Sequence, residues 1–468
     1  MTAWWTAEAV AAAAGGETTG DWVASGVSID TRTLAPGDLF VALVGPNRDA
    51  HDFVAAALDK GAAGAVVSRV PEGVFDAARL VLVGDTQRAL EGLGRAGRAR
   101  SRAGIAGITG SVGKTGTKEA LRHVLSRQAP THASAASHNN HWGVSLSLAR
   151  LPEAVRWGVF ELGMNHAGEI RELTRLVRPD VALITNIPPA HLAFFPSVEA
   201  IADAKCEIFE GLESGGTAII HRDSEHFERM RRHAERSRAA RTLSFGRHPA
   251  ADWRLERLEL ASDHSEIVAV RRGRPLAYRL GMPGGHLAMN SLGVLAVVEA
   301  LGADVGQAAL ALADLRPPVG RGERRRIPLP GGEALLIDES YNANPASMRA
   351  ALDLLGQMPG RRVAVLGDML ELGEQANALH AALAQGAVAA GADLVFTCGA
   401  CMAYLHEALP TDRRGGHVPD SASLAAMVKD ALRPGDVVLV KGSLGSRMAR
   451  IVDALLPPAG PAASRAAQ

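Results

Sequence analysis

The stretch "GITGSVGKTGTKE" (107–119) constrains the fold more than any other part of the chain. An apolar run, Ile105–Ile108, passes through a short turn of Gly110, Ser111, Val112 and Gly113 into a helical stretch opening on Lys114 and Thr115. Glycines let backbone N–H groups face inward with no Cβ in the way. A helix starting near Gly113 adds its positive end. Lys114 supplies a point charge to outer phosphates, and the Thr115 hydroxyl suits Mg²⁺. Residues 109–115 (Thr109, Gly110, Ser111, Val112, Gly113, Lys114, Thr115) are therefore the candidate phosphate cradle, against the plainer reading of an ordinary strand-to-helix turn that contains a lysine. Two features depart from the usual pattern. Ile108 stands where a glycine is expected, and Gly116 is an early helical glycine that costs about 1 kcal/mol relative to alanine. A close ligand would explain the second.

The rest of the chain repeats the same alternation of short apolar runs and helical stretches, the pattern of parallel α/β sheets. The runs are "DLFVALVG" (38–45), "AAGAVVS" (62–68) and "RLVLVGD" (79–85), then "WGVFELG" (157–163), "DVALITNI" (180–187), "GTAIIH" (216–221) and "TLSFG" (242–246), and finally "EALLIDES" (333–340), "RVAVLGD" (362–368), "ADLVFT" (392–397) and "GDVVLVKGS" (435–443). A polar alternating passage at 252–280 predicts a small antiparallel patch, and "LRPPVGRGERRR" (315–326) reads as a linker. With 468 residues, more than one core is required. The expectation is three α/β domains: a small N-terminal domain (1–85), a central domain with a P-loop-type, mostly parallel sheet (86–314) and a Rossmann-like C-terminal domain (315–468).

Composition excludes several partners. Lys+Arg and Asp+Glu are both 50, so there is no basic footprint for nucleic acid. The basic run "RMRRHAERSRAAR" (229–241) reads as a solvated helix face without interleaved aromatics. No run of about 18 apolar residues is present, which argues against a membrane span. No signal-peptide pattern opens the chain, and the Pro/Ala-rich tail reads as disordered. Three cysteines, Cys206, Cys398 and Cys401, suggest a reducing cytoplasm. The Cys398/Cys401 spacing ends a strand-like run and is read as structural rather than redox-active. A monomer is expected.

Further polar groups stand at strand ends, where open α/β sheets bind ligands. Glu161 closes "WGVFELG" and could hold Mg²⁺ opposite Thr115. His191 follows "ALITNI", and Lys205 lies on the helix "AIADAKCEIFEGL". Taken with "SIDTRTLAPGDLFVALVG" (28–45), "SHNNHWGV" (137–144), "FELGMNHAGEI" (160–170), "IDESYNANPASMRAAL" (337–352), "VLGDMLELGE" (365–374) and "VKGS" (440–443), the chain resembles the Mur ligases, ATP-dependent amide-bond-forming enzymes of peptidoglycan synthesis. The loop of that family runs T-G-[ST]-x-G-K-T, so Ile108 is no defect.

The resemblance implies a set of roles. Thr115 and Glu161 hold one Mg²⁺, while His191 and Lys205 belong to a second metal site, with Lys205 carbamylated by CO₂ so that a cation becomes an oxygen donor. Lys114, Glu161, His191 and Lys205 form the catalytic group. Asn290, Arg321, Asp338 and Asn342 contact the nucleotide, although Leu287 stands where asparagine is common. Ser28, Thr31, Arg32 and His51 hold a UDP-sugar, and Asn139 and Asn140 line the substrate's path. The segment "SYNANPASM", with no D-N-P-R-like segment in the last domain, implies UDP-N-acetylmuramoyl-tripeptide as donor and D-alanyl-D-alanine as acceptor. The rival readings are a sibling amide ligase with another acceptor, a P-loop switch or scaffold that binds nucleotide without ligation, and a non-enzymatic partner-binding protein of the cell-wall machinery.

Overall fold

The computed structural model describes residues 4–45, 48–74, 76–135, 139–187, 195–261, 263–317 and 319–457. These residues form four sheets. Strands β1 (Trp5–Thr6) and β2 (Val23–Ala24) make a short antiparallel pair. Strands β3 (Gly26–Ser28), β4 (Asp38–Val41), β5 (Gly64–Val67) and β6 (Leu80–Leu82) make a parallel sheet in chain order. Helices α1 (Ala7–Ala14) and α2 (Val54–Asp59) accompany it.

The central sheet contains β7 (Gly104–Thr109), β8 (Thr131–Ala133), β9 (Trp157–Glu161), β10 (Val181–Ile184), β11 (Thr217–His221), β12 (Arg241–Gly246), β13 (Trp253–Leu260), β14 (Ser265–Arg271) and β15 (Arg274–Leu280). Its order is β15-β14-β13-β12-β11-β10-β7-β9-β8. Strands β7 to β12 are mutually parallel, and the antiparallel meander β13–β15 extends one edge, as the alternation at 252–280 predicts. Side chains alternate along each strand, so both faces need cover. Val181 and Leu183 of β10 pack with α4 (Lys114–Ser126) and α9 (Gly285–Ala300) on one face. Ala182 and Ile184 pack with α5 (His141–Ala149), α6 (Glu169–Val177), α7 (Val198–Cys206) and α8 (Phe227–Glu235) on the other. The carboxyl ends of β7 and its neighbours β9 and β10 therefore meet at the start of α4.

Helix α3 (Thr86–Arg100) ties the first sheet to the central one. Its Ala89, Leu90 and Leu93 are buried with Trp5, Val10 and Val66, together with Leu146 and Ala149 of α5. The opposing helix comes close: a Cβ on Gly97 would lie 2.2 Å from the Leu148 carbonyl oxygen, so glycine is required there.

The third unit is a six-stranded sheet of β16 (Glu323–Leu329), β17 (Gly332–Glu339), β18 (Arg362–Gly367), β19 (Leu394–Cys398), β20 (Arg414–Val418) and β21 (Val437–Lys441), in the order β16-β17-β21-β18-β19-β20. All neighbours are parallel except β16 with β17. The linker expected at 315–326 ends earlier than its composition implies. Glu323–Arg326 are the first residues of β16, paired with Asp338–Leu335 of β17. Arginine tolerates an edge strand because its long stem covers apolar surface while the guanidinium stays wet. The three-domain α/β architecture is thus present, and it is not a barrel.

Candidate active site

The loop from β7 to α4 has the strained geometry that its glycines permit. Gly110 has φ +150 and Gly113 φ +88. A Cβ on Gly113 would lie 2.6 Å from Asn290 Nδ2, so the α9 amide backs directly onto the loop. The loop is braced from β10: Ser111 N–H donates to the Asn186 carbonyl at 2.8 Å, and Thr185 Oγ1 donates to the Val112 carbonyl at 2.7 Å. Thr109 is buried, its hydroxyl donating to the Leu162 carbonyl at 2.8 Å. Ser111 Oγ is buried with no hydrogen-bond partner among the described residues, an orphaned polar atom inside the cradle. Lys114 Nζ donates back to the Gly110 carbonyl at 2.6 Å. Burial pushes the Lys114 ammonium below its ordinary value; Glu161 opposes that shift and Arg321 adds to it. A Cβ on Gly116 would meet nothing within 4 Å, so open space lies over the first turn of α4.

Glu161, at the carboxyl end of β9, is 1 % exposed and both its oxygens are engaged. Thr115 Oγ1 donates to Oε2 at 2.9 Å and Asn139 Nδ2 donates to Oε1 at 2.8 Å. Lys205, in the last turn of α7, is also 1 % exposed. Its ammonium has no hydrogen bond or ion pair among the described residues. Burial first, then the charge of Lys114, hold it well below the usual lysine range, with Cys206 acting the other way. Among the described residues no three His, Cys, Asp or Glu side chains converge as a metal cage. His191 lies outside the described residues. A divalent ion here would be held by the Thr115 and Glu161 oxygens and completed by phosphate, the arrangement that suits Mg²⁺. The orphaned Ser111 hydroxyl and this hard-oxygen pair fit a nucleotide with its metal.

The third unit presents its polar groups at the carboxyl ends of β17 and β21. The Arg321 guanidinium stacks 4.3 Å from the Tyr341 ring centroid and stands close enough to depress Lys114. Asp338 is buried, its Oδ1 accepting from Ser340 N–H at 3.1 Å. Asn342 Oδ1 accepts from Ala343 N–H at 2.9 Å, and its carbonyl accepts from Lys441 Nζ at 2.9 Å. Lys441 also pairs with Glu339 at 3.1 Å.

The first sheet carries a separate set. Ser28 is buried and donates to the Asp30 carbonyl at 3.0 Å. Arg32 is exposed, with Nη2 2.5 Å from Asp30 Oδ2, and the neighbouring Thr31 carbonyl accepts from Lys60 Nζ at 2.9 Å. His51 is 1 % exposed: Nδ1 lies 2.6 Å from Asp49 Oδ1, and Nε2 accepts from Ser68 N–H at 2.9 Å. Asn140 caps α5, its Oδ1 accepting from Gly143 N–H at 2.9 Å. Sequence reasoning did not single out Thr185 and Asn186 as braces of the loop. Two polar residues closing an apolar strand beside a phosphate loop were the available signal. The cysteines behave as structural groups: Cys398 is buried 3.4 Å from Met448 Sδ, and burial pushes its thiol up to about 12.

These features define an ATP-dependent ligase fold, and the chain belongs to the Mur ligase family. The family's middle domain matches residues 108–298, and its "Mur ligase, glutamate ligase domain" matches 320–444. The chain is 34% identical over 450 residues to a UDP-N-acetylmuramoyl-tripeptide–D-alanyl-D-alanine ligase of Rickettsia prowazekii, covering 96% of this chain and 99% of that protein. It is 36% identical over 433 residues to the Escherichia coli protein of the same name, covering 92% and 93%. The crystal structure of MurF from Acinetobacter baumannii superposes with a TM-score of 0.84 at 30% identity, covering 96% of this chain and 98% of that one. No helix among the described residues is long and apolar enough to cross a membrane.

Proposed function

We propose that this chain joins D-alanyl-D-alanine to the terminal carboxylate of UDP-N-acetylmuramoyl-tripeptide, with ATP as co-substrate, in peptidoglycan precursor synthesis. Near-full-length similarity to ligases of that name supports the substrates. The observation that carries the chemistry is the Thr115–Glu161 pair, 2.9 Å apart at the mouth of a phosphate loop with an orphaned hydroxyl.

The reaction has two steps. A carboxylate oxygen of the tripeptide attacks the γ-phosphorus, the bond to the β–γ bridging oxygen breaks, and ADP leaves an acyl phosphate. The free amine of the dipeptide then attacks the acyl carbon, the C–O bond to phosphate breaks, and the amine proton is released with inorganic phosphate. Negative charge builds on oxygen in both steps, so fixed cations in a closed site dominate. Residues 109–115 seat the phosphates, and Lys114 lifts from Gly110 onto the outer phosphate. Bound Mg²⁺, held by Thr115 and Glu161, supplies positive charge to the phosphate oxygens.

Lys205 is read as a carbamate. Burial holds this amine well below the usual lysine range, which favours the nucleophilic form that adds CO₂ with loss of one proton to become an anionic oxygen donor. With His191 it would serve a second metal. Asn290, Arg321, Asp338 and Asn342 are assigned to the nucleotide, and Ser28, Thr31, Arg32, His51, Asn139 and Asn140 to the UDP-linked substrate. The same reading assigns UDP-sugar binding to residues 1–85, ATP to 86–314 and closure over nucleotide and acceptor to 315–468, in a cytoplasmic enzyme.

The test is phosphate release from ATP with UDP-tripeptide, with and without D-alanyl-D-alanine, together with product mass. Release that requires both substrates, with a gain of two alanine residues, is expected. Nucleotide binding without release would favour the switch, and transfer of a free amino acid to a UDP-dipeptide would favour the sibling ligase.

A further inference from the structure

Glu207 stands two residues beyond Lys205, where α7 gives way to a 3₁₀ turn (Glu207–Gly211). Its side chain is 6% exposed, yet its carboxylate serves a distant segment. Gly168 N–H donates to Oε1 at 2.8 Å and to Oε2 at 3.0 Å, and Arg171 N–H donates to Oε2 at 3.0 Å. These amides open α6, whose N-cap, Gly168, sits at φ 93 and has no side chain to cap with. The first amides of a helix lack intrahelical acceptors, and a carboxylate there satisfies them and meets the positive end of the helix. The far end of α6 is closed in complementary fashion. Arg98, buried, donates from Nε to the Val177 carbonyl at 2.8 Å and from Nη2 to the Arg178 carbonyl at 2.9 Å. Side chains of opposite charge thus clamp α6 at both ends.

The clamp reaches the site through the segment 162–168, which begins directly after Glu161. Its near end is held by Thr109, bonded to the Leu162 carbonyl, and by Gly163 N–H, which donates to the Asn139 carbonyl at 2.8 Å. Its far end is Gly168. A continuous path therefore runs from Glu161 along this segment to Gly168, across to Glu207, and back two residues to Lys205. Glu207 opens the 3₁₀ turn that follows α7, so the residue that grips α6 is tied by two residues of backbone to Lys205.

We propose that Glu207 is a positioning residue of the ligation reaction: by holding the start of α6 it fixes the end of α7, and with it the placement of Lys205 relative to Glu161. The inference rests on the reading of Lys205 as a site residue. Thr174 Oγ1, which donates to the Ile208 carbonyl at 2.7 Å, reinforces the same junction one turn further along α6.

The experiment uses the full chain with Glu207→Gln, Glu207→Asp and Glu207→Ala, each assayed well below its own Tm, beside Lys205→Ala. Glu207→Gln keeps length and one oxygen but sets an NH₂ group against backbone N–H. In amide hydrogen exchange, protection at residues 168 and 171 should fall in Glu207→Gln and Glu207→Ala. The kcat for ligation should drop about tenfold or more in Glu207→Gln, the size of effect a small misplacement of a reacting group produces. KM for ATP should stay within about twofold because the phosphate loop is untouched, and the Mg²⁺ needed for half-maximal rate should rise. Glu207→Asp should recover part of kcat. On nucleotide-free protein under ¹³CO₂, the carbamate resonance expected in the wild type should be lost in Lys205→Ala and weakened in Glu207→Gln. A lowered Tm with wild-type kcat, Mg²⁺ requirement and carbamate signal in Glu207→Gln, beside an inactive Lys205→Ala, overturns this inference alone. A fully active Lys205→Ala overturns the reading of Lys205 beneath it.

Discussion

The carboxyl end of the central sheet and the loops of the first sheet use their polar side chains in opposite ways. Around the phosphate loop, neither Ser111 Oγ nor Lys205 meets a partner among the described residues, and Lys114 is parked on a carbonyl of its own loop. Leaving the Ser111 and Lys205 groups unpaired costs desolvation free energy, which a polar ligand at the loop would offset. In the first sheet His51 is bonded through both ring nitrogens, Ser28 turns back on Asp30, and Arg32 lies on Asp30. Those groups shape loops before any ligand arrives. Under the proposed function this difference separates chemistry from recognition: the central residues would meet charge that develops in the reaction, and the first-sheet residues would fix a surface for the UDP-linked substrate.

The largest expected effects follow from that difference. Lys205→Ala should abolish ligation while ATP binding, measured by calorimetry, stays near wild type, because Lys114 and Thr115 remain. Lys205→Arg should not rescue, since it keeps a cation where the proposed carbamate would supply an anionic donor. Lys114→Ala should lose at least about two orders of magnitude in turnover, the scale of removing one preorganised charge contact from a closed site. Near wild-type turnover of either alanine variant at saturating ATP would break the comparison at its central side.

An intermediate effect is expected for the groups that orient Glu161. Thr115→Val and Asn139→Ala each remove one hydrogen bond to a buried carboxylate, and bonds to charged groups contribute about 1.5–3 kcal/mol. Each should raise the Mg²⁺ requirement and lower kcat by roughly tenfold, an effect within that energy range. If Asn139→Ala instead raised only the KM for the UDP-substrate, Asn139 would belong with the recognition residues and not with Glu161.

How much of this was legible in the sequence follows the range of the interactions. The loop 109–115 and the α/β alternation are local patterns, a turn and a period, and they correspond to the elements seen. Glu161 was legible as an acidic residue closing a strand opposite Thr115, whereas Lys205, one lysine on a helical stretch, gained its expected role only through the family resemblance. The braces were not legible. Asn186 lies 75 residues from Ser111 in number, and Glu207 is 39 from Gly168, so no spacing rule joins them. The edge strand Glu323–Leu329 was obscured by its own arginines and by the proline and glycine of the stretch that leads into it, because an edge strand tolerates polarity that an inner strand cannot.

The smallest effect belongs to the first sheet and has a direction set by pH. Asp49 accepts from the His51 backbone N–H at 2.9 Å, lies 2.6 Å from the His51 ring and pairs with Arg69 at 2.8 Å. Burial alone would raise its carboxyl, but the bonds from His51 and Arg69 outweigh burial and bring it from 3.8 to about 2. A carboxylate depressed in the folded state contributes stability that is fully present above its unfolded value and is lost as pH falls through the folded one. Asp49→Asn should therefore lower Tm at neutral pH, and the gap between wild type and variant should close as pH falls from about 4 to about 2. Ligation kcat should be unchanged, with only KM for the UDP-substrate rising as the His51 loop loosens. A gap in Tm that persists at the acid end would show that Asp49 acts through packing rather than through its charge. A fall in kcat with KM unchanged would move this loop from recognition into the chemistry.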